Sequence, residues 1–163
     1  MTSVRRFHPD DALATRDIFV AAVHQGAAGR YTAAELADWV PDPAMPDGWG
    51  SWLNDHITFV AEDHGLLGFM MLERSGYLNM AFVLPEQMGK GVADALYAAT
   101  MVEARALNLP RLHVLASRYA QSFFTRHGWL LDPTITGLEG MDPNQGPDDN
   151  PVNRPMSLRL AAK

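Results

Sequence analysis

The spacing of apolar residues changes along the chain, and this spacing predicts the order of its elements. The stretch "ITFVAEDHGLLGFMMLERSGYLNMAFVL" (residues 57–84) contains three apolar runs, separated by turn-forming residues near Asp63–Gly65 and Ser75–Gly76. Strands joined by such short turns pair antiparallel. We therefore predict three consecutive antiparallel strands in the middle of the chain.

Helical spacing begins after Gly91. The predicted buried stripe of this helix is Val92, Ala95, Leu96, Ala99, Val102 and Ala106, which recur at the period of an α-helix. The run "RLHVLAS" (residues 111–117) then predicts a buried strand. A second helix is predicted over residues 117–128, with Ser117 as its N-cap and Gly128 just past its end.

The two ends of the chain give weaker patterns. We predict a first strand at residues 3–9, a helix capped by Asp10 or Asp11, and a short helix opened by a capping box of Thr32 and Glu35. Residues 41–52 are predicted as a loop, residues 129–140 as a strand, residues 141–155 as a turn-rich loop and "MSLRL" as the last strand. This order predicts an α+β fold with one strand–helix–strand crossover.

Composition narrows the functional classes. The 163 residues fit a single domain, 1–163, and the net charge of −6 argues against a nucleic-acid partner or a polybasic membrane contact. The absence of cysteine excludes disulfides, thiolate zinc sites and a cysteine nucleophile. The histidines lack ligand spacing, so we predict no metal. No run approaches the ~18 apolar residues of a membrane span, and a cytoplasmic protein is expected.

The segment "PEQMGKGVADALYA" (residues 85–98) places Gly89 and Gly91 directly before a helix. Helix N-termini present unpaired N–H groups and partial positive charge, and glycines allow an anion to approach them. A tight turn without a ligand is the open alternative. The Walker pattern fails because Gly91 follows Lys90, and the dinucleotide pattern fails because Ala95 falls one step late.

The pattern formed by residues 82–129 is a more specific indication of a protein family than the two glycines alone. These residues resemble the signature half of the GCN5-related N-acetyltransferases (GNAT), in which a strand enters a turn written Gln/Arg-x-x-Gly-x-Gly/Ala. The register here gives "MGKGVA" at residues 88–93, and "FFTRHGW" at residues 123–129 matches the family's later Phe-Tyr/Phe-x-x-x-Gly-Phe. The upstream "YTAAELADW" and "TFVAEDHGLLGFMMLE" are similar to the bacterial small-molecule branch.

The resemblance implies a fold, a cosubstrate and a reaction. The fold is α/β/α layers around a mixed, mostly antiparallel sheet of about six to seven strands, split around acetyl-CoA. The implied reaction is direct transfer of acetyl from acetyl-CoA to a primary amine of a small molecule, in a ternary complex. Members of this family often form homodimers, but the sequence leaves the oligomeric state open. A cofactor-binding sensor without turnover stays open as the alternative function.

The resemblance also assigns residues. The backbone of the turn would bind the diphosphate of the coenzyme, namely Met88, Gly89, Lys90, Gly91, Val92 and Ala93. The pantetheine would run beside Phe82 and Val83. A strand bulge would aim the N–H of Phe82 at the thioester carbonyl, where a preorganised donor stabilises the oxyanion.

Two positions depart from the family pattern. Met88 stands where Gln or Arg is usual, and Phe124 stands where a tyrosine often serves as general acid, so Phe124 is left to pack against the cofactor. Tyr119, about 140° round the helix from Phe124, is a poor substitute. Ser117 shares the face of Phe124 and is a candidate contact to the cofactor, although N-capping is the role that the pattern favours.

No histidine or acid lies on the strand "YLNMAFV" to serve as a general base. Glu73, one strand earlier, is the nearest acidic candidate, and a solvated strand-end charge is its alternative role. Glu35 is better explained as the partner in its capping box. Bulk water is the remaining proton acceptor.

Overall fold

The computed structural model describes residues 1–26, 32–118, 120–136 and 153–161. The strands are β1 (Ser3–Arg6), β2 (Ile57–Glu62), β3 (Leu66–Leu72), β4 (Leu78–Val83), β5 (Arg111–Ser117), β6 (Leu130–Leu131) and β7 (Asn153–Arg159). The α-helices are α1 (Ala12–Ala21), α2 (Ala33–Trp39), α3 (Trp49–Asp55), α4 (Val92–Ala106) and α5 (Gln121–Arg126). Short 3-10 turns lie at Pro9–Asp11 and Pro85–Gln87, and a π-helical turn, Ala22–Gly26, extends α1.

The strands form two antiparallel sheets. One has the order β1-β2-β3-β4 and the other the order β5-β7-β6. The predicted antiparallel run is confirmed as β2, β3 and β4, and the α+β class is confirmed. The last strand, β7, lies between β5 and β6, so the end of the chain completes the second sheet.

The two sheets meet at one point. Tyr77, just before β4, makes a parallel bridge with His113 of β5, and the His113 N–H donates to the Gly76 oxygen at 3.0 Å. The Tyr77 and His113 rings stack at 5.2 Å. A Cβ on Gly76 would come within 2.5 Å of the Arg111 oxygen, so only glycine permits this approach. Within the described part of the chain, β4 and β5 share no other bridge and leave a split between the sheets.

Strand β3 is buried on both faces, which explains its unbroken apolar sequence. Met70 and Leu72 belong to a core shared with α4, whereas Phe69 and Met71 belong to a core shared with α1 and α3. Alternate residues of a strand face opposite sides of the sheet. The sheet therefore carries helices on both faces, as the layered architecture requires.

Several boundaries differ from the predictions. Residues 41–52 are not all loop, because α3 begins at Trp49 and buries Trp49 and Leu53, one turn apart. The buried face of α4 is Val92, Leu96, Tyr97, Thr100, Met101 and Ala104, and Val102 is 68% exposed. The predicted strand over residues 129–140 is only β6, and residues 137–140 lie outside the described residues.

Asp11 links the start of the chain to the first helix. Its carboxylate accepts hydrogen bonds from Arg5 Nη1 (2.8 Å), Arg5 Nη2 (3.0 Å) and the His8 N–H (2.8 Å). The Arg5 guanidinium, followed by the His8 hydrogen bond, holds the pKa of Asp11 below its ordinary value of 3.8, against an opposing effect of burial. A lowered carboxyl pKa stabilises the fold above the unfolded pKa, and this stability is lost as the pH falls through the folded pKa.

We expect Asp11→Asn to lower the free energy of unfolding by about 1 kcal/mol at pH 7, because a charge-assisted contact is lost. Urea unfolding at neutral pH and again well below pH ~4 checks this, since the difference from the parent chain should shrink on acidification. An equal difference at both pH values would contradict the assignment.

Candidate functional site

The turn between β4 and α4 places backbone donors around one point. Gly89 and Gly91 have left-handed φ angles of 76° and 86°, and Gly91 is the N-cap of α4. The first intrahelical bond runs from the Ala95 N–H to the Gly91 oxygen at 3.0 Å. The N–H groups of residues 92–94 precede that bond, so they are available to an anion at the helix N-terminus.

The two glycines are not required by packing. A Cβ built on Gly89 or Gly91 meets no protein atom within 4 Å. Their left-handed φ angles favour glycine, and the space beside the turn is open to a ligand. The residues present therefore fit a diphosphate held by backbone donors.

A cavity of about 640 Å³, the first cavity, extends from this turn into the split between the sheets. It is lined by nearly all the residues that the sequence assigned to the cofactor, namely Phe82, Val83, Met88, Gly89, Gly91, Val92, Ala93, Ser117 and Phe124. Lys90 is exposed and does not line it. The sequence missed Ala81, Ala120, Ser122 and Arg126, which also line it.

A second cavity, of about 590 Å³, lies against the same split. Five residues line both cavities, and we call them the meeting point: Ala81, Phe82, Ser117, Ala120 and Phe124. Two come from β4 and one from the end of β5; the other two are the residue before α5 and a residue within that helix. Ser117 has the one polar side chain of the five. A group passing from one cavity to the other would pass here.

Sheet register shows which amides of β4 face the split. The Leu84 N–H donates to the Leu67 oxygen at 2.8 Å, and Phe82 stands opposite Phe69 in the same register. Hydrogen-bonded pairs alternate along an antiparallel ladder, so Phe82 is bonded to β3. The alternate residues, Ala81 and Val83, then direct their N–H groups to the unpaired edge.

This register corrects the prediction for Phe82. β4 does contain an irregularity, but it lies at Asn79, which has no partner because Leu72 pairs with Leu78 and Met71 with Met80. The Phe82 N–H is used within the sheet, and the free amide at the meeting point belongs to Ala81. A small residue in an apolar strand carries no sequence signal for such a role, and only the register reveals it.

The aromatic side chains of the meeting point are fixed by packing. The Phe82 ring lies 4.8 Å from Phe19 and 5.9 Å from Phe69. Phe124 is buried and its ring lies 4.8 Å from Trp129. Phe124 therefore packs at the junction, and it has no hydroxyl to donate.

Ser117 ends β5 and turns the chain towards α5. Its Oγ accepts from the Ala120 N–H at 3.2 Å, and Ala120, not Ser117, is the N-cap of α5. The predicted capping role therefore applies to the turn before the helix, which begins later than expected. The Ser117 hydroxyl hydrogen remains available to a group at the meeting point.

Of the two other proposed acid–base residues, Glu73 is not at the meeting point. Glu73 lines neither cavity; its Oε1 accepts from Asn79 Nδ2 at 3.0 Å, and Asn79 lines the second cavity. Tyr119 lies outside the described residues. Glu35 makes the predicted capping box with Thr32, and it also lines the second cavity, which the capping pattern alone does not reveal.

The mouth of the first cavity carries a small ionic group. Asp94 Oδ1 lies 2.9 Å from His127 Nε2 and 3.2 Å from an Arg126 nitrogen. Arg126 and Asp94 both line the first cavity. Arg126 thus places a cation near the turn, and Asp94 offsets part of its charge.

No group of three or more potential metal ligands occurs among the described residues. In the same part of the chain, no helix is long and apolar enough to cross a membrane.

Comparisons with known proteins agree with this geometry. A family model described as "Acetyltransferase (GNAT) domain" matches residues 28–134. The comparison with curated proteins gave no match. Among solved structures, a GCN5-related N-acetyltransferase from Rhodopseudomonas palustris is 25% identical, with a TM-score of 0.80 over 98% of this chain and 96% of that one.

Two more distant structures show the fold alone. The PaiA N-acetyltransferase from Thermoplasma acidophilum, in complex with coenzyme A, is 13% identical with a TM-score of 0.74, covering 98% of this chain and 99% of that one. The protein YncA from Salmonella typhimurium, with its cofactor acetyl-CoA, is 16% identical with a TM-score of 0.67, covering 100% and 96%.

Proposed function

The chain belongs to the GNAT family of acetyl-CoA-dependent N-acetyltransferases, and from that premise we propose that it acetylates a primary amine of a small molecule by direct attack in a ternary complex. The observation that carries this proposal is the meeting point, where two cavities share five residues. Acetyl-CoA, the cosubstrate, would lie in the first cavity and the amine in the second.

The first cavity is proposed to hold the coenzyme mainly by backbone. The N–H groups of Gly89 and of residues 91–94 would donate to the diphosphate, helped by the positive end of α4. The N–H groups of Met88 and Lys90 already donate to backbone oxygens of the same turn, each at 3.3 Å. Because these donors are main-chain groups, Met88 can replace the usual Gln or Arg. Arg126 adds a positive charge for a further phosphate, and Val83 offers the edge of β4 to the pantetheine.

The Ala81 N–H is the proposed donor to the thioester carbonyl. The amine nitrogen attacks that carbonyl carbon, forming a C–N bond as the C–S bond breaks and the electron pair leaves on sulfur. The second proton that the nitrogen loses on becoming an amide is released to water. The negative charge on the carbonyl oxygen is stabilised by a fixed donor that costs no reorganisation. Water accepts the proton of the incoming ammonium, because none of the five residues of the meeting point is a histidine or a carboxylate.

Ser117 is proposed to stabilise the departing sulfur. Its Oγ already accepts from Ala120, so its hydroxyl hydrogen can donate to the thiolate. A thiol with an ordinary pKa near ~8.5 leaves readily as thiolate, so a hydrogen bond is sufficient and the missing tyrosine at Phe124 is tolerated.

We expect Ser117→Ala to lower kcat about tenfold, because one hydrogen bond to a charged group is worth roughly 1.5 kcal/mol. Ser117→Thr, which keeps the hydroxyl, should recover most of the rate. Ser51→Ala, at an exposed position of α3 away from both cavities, serves as the control. Equal rates for Ser117→Ala and the parent would refute this role.

The acetyl transfer itself is tested by incubating the protein with acetyl-CoA and a panel of primary amines while free thiol is measured. We expect amine-dependent thiol release together with the N-acetyl product. Tight coenzyme binding without thiol release on any amine would favour the sensor instead.

The single-domain organisation, a homodimer, a cytoplasmic location and any role of Tyr119 or Glu73 in proton transfer stay predictions.

A further inference from the structure

We propose, as an extension of the proposed function, that the acceptor is a diamine: one amino group reaches the meeting point, and the second cationic group is bound by Glu35 and Asp38. The proposal rests on the position of charge in the second cavity. It narrows the acceptor from any primary amine to a molecule with positive charge at both ends.

Charge in the second cavity is negative and lies to one side. Glu35 and Asp38 both line it, and they stand three residues apart on α2, where side chains share a face. Neither lines the first cavity or belongs to the meeting point. Among the described residues, no Lys, Arg or His lines the second cavity. An acceptor that ends in a carboxylate would find repulsion there.

The two carboxylates have unused acceptor capacity. Glu35 Oε2 accepts from the Thr32 N–H at 3.2 Å and lies 3.6 Å from Arg118 Nη1. Both contacts use the same oxygen, so Oε1 is left for a ligand. Asp38 makes no ion pair or side-chain hydrogen bond within the described part of the chain, and it is exposed. Arg118 therefore offsets part of the charge of Glu35 and does not pair with Asp38.

The remaining lining of the second cavity suits an alkyl chain, because most of it is apolar. Its apolar residues include Phe19, Leu78, Met80, Val114, Leu115 and Ala116. Asn79 provides a polar contact in this lining, since its Nδ2 donates to Glu73 Oε1 at 3.0 Å and its own oxygen is left to accept. Glu73 is thus a positioning residue for Asn79. The second cavity thus combines two carboxylates, an apolar lining and the residues of the meeting point.

Three amines of matched length separate this proposal from the general one. Cadaverine carries an ammonium at the far end, hexylamine a methyl group and aminocaproate a carboxylate. In the parent enzyme we expect the highest kcat/KM for cadaverine, by about tenfold over hexylamine, and the lowest for aminocaproate. The readouts are thiol release and identification of the acetylated product.

The double variant Glu35→Gln with Asp38→Asn tests the residues. Glutamine retains the capping box, so α2 should stay folded, as circular dichroism can verify. We expect KM for cadaverine to rise about tenfold with kcat little changed, and the constants for hexylamine to stay within about twofold. Asp17→Asn, an exposed charge removal on α1 outside both cavities, should change neither.

The outcomes distinguish a failure of the diamine proposal from a failure of the acetyltransferase function. Equal kcat/KM for all three amines, or an equal loss for cadaverine and hexylamine in the double variant, would overturn the diamine proposal and leave the acetyltransferase function intact. Thiol release with none of the three amines, but with other primary amines of the panel, would overturn the diamine proposal alone; no release with any amine would overturn both.

Discussion

Gly91→Val is expected to weaken CoA binding on the order of a hundredfold, because the new side chain would stand where the diphosphate meets the helix N-terminus. Two hydrogen bonds to a charged group, each worth roughly 1.5 kcal/mol or more, account for that factor. Gly89→Val should behave in the same way. Isothermal titration calorimetry with CoA measures the dissociation constant directly.

The chain offers a matched control for this substitution. Gly48 is the N-cap of α3, has a left-handed φ of 83° and has no atom within 4 Å of a built Cβ, as Gly91 does at α4. Gly48→Val should therefore carry a similar backbone strain, about 1–3 kcal/mol, and leave CoA affinity unchanged because Gly48 lines neither cavity. Equal affinities in folded Gly91→Val and Gly48→Val proteins would argue against the diphosphate turn.

Ala81→Pro is expected to lower kcat by about two to three orders of magnitude, the usual effect of removing one oxyanion donor. Proline lacks the N–H, and at an unpaired sheet edge it removes no ladder hydrogen bond. CoA affinity should fall much less than kcat, since the turn at residues 88–93 is untouched. Stopped-flow or steady-state thiol release gives kcat, and calorimetry gives the affinity.

Phe82→Pro separates the two candidate donors. The Phe82 N–H belongs to the ladder with β3 in the register observed, so its loss should lower the melting temperature strongly, as proline within a paired strand does. Ala81→Pro should melt closer to the parent. A folded Ala81→Pro enzyme with parental kcat would show that the acetyl oxygen is bound elsewhere.

Much of the fold follows from local patterns. The turns around Gly65 and Gly76, together with apolar runs of strand length, were sufficient to predict β2, β3 and β4 in antiparallel order. The glycine turn and the spacing to residues 123–129 were sufficient for the family. These features are short-range, so the sequence contains them directly.

The predictions that were wrong concern positions that are determined by tertiary contacts. In α4 the buried face is rotated from the predicted stripe because the helix packs Tyr97 and Met101 inward, and the Trp129 indole donates to the Tyr97 hydroxyl at 2.9 Å. In α3, Trp49 is held by a 3.1 Å hydrogen bond to Thr15, a contact from another helix that spacing alone does not reveal. Long-range packing overrides local pattern at both places.

The candidate site also contains one part that follows from a local pattern and another that depends on tertiary contacts. The glycine turn before α4 was predictable, because glycines directly before a helical pattern form a sequential motif. That the turn binds the cofactor stays a proposal. The proposed role of Ala81 as an amide donor was not predictable, since it depends on which edge of β4 the Ala81 amide faces. The position of Glu35 and Asp38 in the second cavity was not predictable either, because α2 reaches that cavity only when the chain folds.

A crystal structure of the protein with CoA bound would test the proposed coenzyme site most directly. It should show diphosphate oxygens about 3 Å from amide nitrogens of the turn at residues 88–93, with the sulfur beside Ala81 and Ser117 and the second cavity open behind it. A coenzyme whose diphosphate lies away from that turn, or whose sulfur points away from the split between β4 and β5, would contradict it.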